Sequence, residues 1–116
     1  AVKDKVVVFV TCAKAEEARR IARALVQARL AACVNVIGGP VLSVYRWKGK
    51  VEKATELLLL AKTSRKKLAA LRATVARLHS YDVPEFIALP IVAGSPAYLR
   101  WLDECLQPAA LGRKPR

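Results

Sequence analysis

Leu57-Leu58-Leu59-Leu60-Ala61 is an apolar run with no polar interruption, and its reading decides the fold. Neighbouring side chains of a strand point to opposite faces, so such a run implies a strand buried on both. Val6-Val7-Val8-Phe9-Val10 and Phe86-Ile87-Ala88-Leu89-Pro90-Ile91-Val92 read the same way. Only two convincing amphipathic helices accompany them. Ala18, Ile21, Ala22 and Leu25 recur at helical spacing with Arg19, Arg20, Arg23 and Gln27 opposite; Leu68, Leu71, Val75 and Leu78 form the second stripe. Two helices cover one face of a four-stranded sheet. The other face needs a second molecule, so the chain is expected to be one part of an oligomer.

Outward from these runs the order is β-α-β-β-α-β. A first strand covers about residues 5–12, and Ala31 to Ile37 returns to strand pattern until Gly38-Gly39-Pro40 breaks or bends it. Val41 to Trp47 resumes, and Lys48-Gly49 is a two-residue turn into a long strand from Lys50 to Lys62. Its apolar run starts only at Leu57, so the hairpin tip should project beyond the packed body. Thr63-Ser64 precedes the second helix, with serine expected as its cap. Arg65, Lys66 and Lys67 open that helix with the wrong sign for its dipole, which makes an anion site there the alternative to a surface accident. Pro90 places the last main strand, near Glu85 to Val92, at a sheet edge. A short helix from about Ser95 to Leu106 follows. The expected class is therefore α+β: a ferredoxin-like antiparallel sheet with a C-terminal helix, oligomerising through the sheet. Residues 1–106 form the single domain and 107–116 a loose basic tail.

Composition narrows the function classes. No apolar stretch approaches the ~18–20 residues that span a bilayer, so no membrane association is expected. Cys12, Cys33 and Cys105 are odd in number and widely spaced, which points to reduced thiols and a cytoplasmic protein; Cys33 and Cys105 are expected in the core. The net charge of +12 could attract polyanions. Lys and Arg are nevertheless spread through every segment, and nucleic acid is not expected as a partner. No P-loop, G-x-G-x-x-G, G-x-S-x-G or H-E-x-x-H motif is present, and no nucleophile with its base and orienting partner is visible, so no enzyme activity is expected.

Several stretches resemble the CutA family of divalent-cation-tolerance proteins: Val8-Phe9-Val10-Thr11-Cys12, Leu30-Ala31-Ala32-Cys33-Val34-Asn35, Tyr45-Arg46-Trp47-Lys48-Gly49-Lys50 and His79-Ser80-Tyr81-Asp82-Val83-Pro84-Glu85. Ala61-Lys62-Thr63, Ala88-Leu89-Pro90 and Tyr98-Leu99-Arg100-Trp101-Leu102 extend the match to about Val6–Leu106. The resemblance implies a tight homotrimer joined through long strands, a link to metal tolerance, and copper or another divalent cation as ligand. It implies no catalytic reaction. The chain departs from the copper-binding pattern, because Val10 stands at the strand cysteine and Leu78 replaces the first of two adjacent histidines.

Cys12, His79 and Glu85 are the candidate metal ligands. Thiolate suits copper(I), while imidazole and carboxylate suit copper(II). His79 alone reads first as a structural group at a helix C-terminus, with a metal or ligand site as the alternative. Lys62, Tyr81 and Asp82 are candidates for a cleft at a subunit boundary, where a Lys62–Glu85 bridge is one reading and a small anion site another. The alternative to metal tolerance is an interaction or signalling scaffold that binds a small anion or a protein partner.

Overall fold

The computed structural model describes residues 3–108. Its strands are β1 (Lys5–Cys12), β2 (Cys33–Trp47), β3 (Lys50–Ser64) and β4 (Ile87–Pro90), and its helices are α1 (Ala15–Gln27), α2 (Leu68–Leu78) and α3 (Pro96–Cys105). The sheet order is β2-β3-β1-β4 with every pair antiparallel, which is the ferredoxin-like arrangement expected. The tail from 109 onward lies outside the described residues. Among those described, no helix is long and apolar enough to cross a membrane.

Alternation sorts the sheet into two faces. Val6, Val8, Val10 and Cys12 of β1 pair with Thr63, Ala61, Leu59 and Leu57 of β3 and turn toward α1 and α2. With Ile21, Leu25, Leu71 and Val75 they make the main core. The opposite face holds Val7, Phe9, Leu58, Leu60, Ile87 and Leu89, and Ile87 and Leu89 stay 49 % and 43 % exposed. α3 packs where β1 begins and β3 ends. There Leu102 and Leu106 bury Ala32 in a small separate cluster, and Lys5 meets Asp103 at 2.9 Å. Arg29 ties the same helix to the exit of α1: its guanidinium donates to the Cys105 carbonyl at 3.0 Å.

Three expectations are corrected and one is decided. Gly38-Gly39-Pro40 bends the strand rather than breaking it: β2 runs through it, with a register shift between Ile37 and Val41. A bulge accommodates a proline without a donor and keeps the strand going. Ser64 makes no cap hydrogen bond, and its hydroxyl is buried without a partner; a 3-10 turn at Arg65–Lys67 leads into α2 instead. β4 is shorter than expected, although it does lie at the edge. Cys33 and Cys105 are only half-buried, and the cysteine in the core is Cys12.

The hairpin departs from the body as foreseen. β1 is exhausted at Cys12 opposite Leu57, so Lys50–Glu56 pair with β2 alone. Lys48 and Gly49 both have positive φ, 51° and 82°, as a tight two-residue hairpin turn requires. Leu42, Val44 and Val51 share one face of this ribbon and are 68 %, 64 % and 65 % exposed.

Candidate functional site: a buried triad and an open acidic cleft

The antiparallel packing of α1 and α2 brings the start of one to the end of the other, above the last residues of β1. Three groups meet there: Cys12 from β1, Glu17 from the first turn of α1, and His79 just past α2. Their sulfur, oxygen and nitrogen atoms lie within 4.8 Å of one another, and all three residues are buried. Seen only as ligand types, this is a metal constellation.

The hydrogen bonds say otherwise. His79 Nε2 lies 2.7 Å from the Thr11 carbonyl, which can only accept, so Nε2 carries the proton and donates. Nδ1 then accepts the Tyr81 backbone N–H at 3.0 Å. Both ring nitrogens are used by the backbone, and the imidazole is the neutral Nε2–H tautomer. Cys12 Sγ stands 3.8 Å from Nε2, and a Glu17 oxygen stands 3.6 Å from Nδ1, so the two other groups flank different nitrogens. The same Glu17 oxygen accepts from the Ser80 hydroxyl at 3.2 Å. Burial, and then the nearby Glu17 and Glu56 carboxylates, push the Cys12 thiol up to about 12, which keeps it protonated. A metal would have to displace both a backbone bond and a tightly held thiol proton. The donor set does not fit an ion as it stands; it locks the loop after α2 onto β1.

A second site opens beside it. Residue Glu56 is the last of β3 before the body, and its buried carboxylate accepts from the Tyr81 hydroxyl at 2.7 Å. Burial and that bond to a carboxylate raise the Tyr81 phenol. Around the pair lies a cleft of about 530 Å³ walled by Tyr45, Trp47 and Tyr81 and carrying Glu56, Asp82 and Glu85. Oxygen donors of this kind suit a hard or borderline divalent cation. Three carboxylates repel a small anion.

The sequence-derived candidates thus divide. Cys12 and His79 come together, but Glu17 takes the place expected of Glu85, which faces the cleft with Tyr81 and Asp82. Lys62 lies six residues along β3 from Glu56, about 20 Å at ~3.3 Å per residue, and does not line the cleft. No Lys62–Glu85 bridge forms among the described residues. At the helix start the Arg65 N–H donates to the Asp4 carbonyl at 2.7 Å, so the chain itself uses the first donor an anion would need. Sequence reasoning missed Glu17 and Glu56. Glu17 reads as a dipole-matching surface acid. Glu56 did carry a signal: it abuts the apolar run at Leu57, where a strand acid must be near the core boundary.

Residues 6–105 match the family model described as CutA1 divalent ion tolerance protein. The "Divalent-cation tolerance protein CutA" of Thermus thermophilus is 51 % identical over 98 residues, covering 84 % of this chain and 94 % of that protein. The "Protein CutA homolog" of Xenopus laevis is 49 % identical over 96 residues, 83 % of this chain but 63 % of that longer protein. Among solved structures, CutA1 from Oryza sativa superposes with a TM-score of 0.86 at 42 % identity, covering 93 % of this chain and 98 % of that one.

Proposed function

The chain belongs to the CutA1 divalent ion tolerance family, and on that premise we propose that it works without catalysis, as a homotrimer that takes a divalent cation such as copper(II) at the open cleft. One observation carries the cation reading. Three of the nine acidic residues of a chain with net charge +12 converge on a single cleft. Self-association is supported by the apolar strip of the ribbon and by the half-open second face of the sheet. The trimer itself is what the resemblance implies.

A second reading, copper(I) in the buried triad, rests on the gathering of Cys12, Glu17 and His79 within 4.8 Å and requires that the ion break the His79–Thr11 bond and remove the Cys12 proton. Calorimetric titration with copper(II), and with copper(I) under reducing conditions, separates the two. Glu56→Gln with Glu85→Gln should weaken copper(II) binding at least tenfold, while Cys12→Ser leaves it unchanged. Loss in Cys12→Ser with full binding in the carboxamide variant would transfer the site to the triad. No heat of binding in the unmodified protein would remove metal from the proposal.

A further inference from the structure

We propose that the outer surface of the α1–α2 layer binds the phosphate backbone of double-stranded nucleic acid, without reading its sequence. An even spread of cations along the chain is not an even spread over the surface. α1 and α2 lie side by side on one face of the sheet; the helices present Arg19, Arg20, Arg23, Arg72 and Arg77 to solvent, and the 3-10 turn before α2 adds Arg65 and Lys66. The exposed acids beside them are Glu16, paired with Arg20 at 3.7 Å, and Asp4, which lies near Lys66 and is paired with Lys5. Residues 65–78 contain no acidic group at all. Elsewhere charges are mixed: the hairpin sets Lys50 and Lys53 beside Glu52 and Glu56.

The chemistry of the face selects the partner. Six of its seven cations are arginines, whose planar guanidinium grips phosphate oxygens in two parallel bonds. Besides Arg72 and Arg77 the exposed positions of α2 are Ala69, Ala70, Ala73 and Ala76, a low surface that holds no backbone away. Neither helix carries an aromatic residue, so nothing stacks on unpaired bases, and single strands gain no more than charge. The apolar stripes of both helices are spent on the core, and the exposed Val26 of α1 is too little to insert into a lipid surface. Dense, regularly spaced phosphates are the remaining match.

Fluorescence anisotropy with a labelled 20-bp DNA duplex, in NaCl from 50 to 200 mM, tests this on the full chain. Binding should weaken steeply with salt, by about 0.9 in the logarithmic slope for each phosphate engaged. Arg19→Ala with Arg23→Ala, and Arg72→Ala with Arg77→Ala, should each lower that slope by about two and weaken binding at least tenfold at 100 mM. Lys50→Ala with Lys53→Ala removes the same charge from the hairpin and should change binding less than twofold. A flat salt response, or equal loss in the hairpin variant, would overturn the proposal. So would tighter binding to a single strand of the same length, or binding only to phosphatidylserine vesicles.

Discussion

His79 is hydrogen-bonded to two backbone groups, the Thr11 carbonyl and the Tyr81 N–H. Truncating it removes both bonds, and a buried group left unpaired costs about 1–3 kcal/mol. His79→Ala should therefore lower stability by about 2–4 kcal/mol in urea unfolding, with Cys12→Ala much milder because its thiol bonds weakly. Cys12 and Tyr81 matter instead at alkaline pH. Burial raises both acids in the folded chain, Cys12 from 9.0 to about 12, so the unfolded chain loses its protons first. Their contribution is complete below about pH 9 and declines as pH climbs toward the folded values. Thermal unfolding followed from pH 8 to 11 should show a falling midpoint, and the fall should be shallower in Cys12→Ala. Cys12 and His79 were legible as residues of interest from their type and from the family resemblance together. Their actual bonds were not, because a histidine's partners here are backbone atoms 68 and 2 residues away, and sequence gives no sign of a carbonyl's position.

At the scale of elements, the two-residue turn and the ribbon it closes carry the sharpest expectation. Leu42, Val44 and Val51 leave most of their surface to water in a single chain, and burying one such side chain gains about 1.5–3 kcal/mol. Leu42→Lys with Val44→Lys should cost the isolated fold almost nothing, since neither contacts the core. If copies pack over the ribbon, the same pair should reduce the particle mass to that of one chain in light scattering. An unchanged mass would place the contact on the Phe9–Leu58–Ile87 face instead. The projecting ribbon was readable because Leu57 marks where polar alternation gives way to continuous burial. The uninterrupted β2 was not. Pro40 lacks an N–H, and only the register shift shows that the sheet absorbs it as a bulge rather than as a break. The missing cap at Ser64 has a similar cause, because β3 continues two residues further than Lys62 and carries the serine inside.

For the whole molecule, charge sets a test that separates self-association from polyanion binding by sign. Each copy carries +12, and like charges on associating copies repel over a Debye length of about 8 Å at physiological salt. Apolar burial along the ribbon and sheet is indifferent to ordinary salt. Screening therefore removes the cost and leaves the gain, so assembly should tighten between 50 and 500 mM NaCl. Duplex binding by the α1–α2 face runs the other way, because salt refills the counterion atmosphere whose release drives it. Sedimentation velocity of the chain alone and with a 20-bp duplex, at both salt concentrations, reads the two equilibria together. The expected pattern is a larger protein particle and a dissociated duplex at 500 mM, against a smaller or mixed protein particle with bound duplex at 50 mM. Both equilibria moving in the same direction with salt would mean that one surface serves both, and that the apolar ribbon and the basic helices are not separate devices.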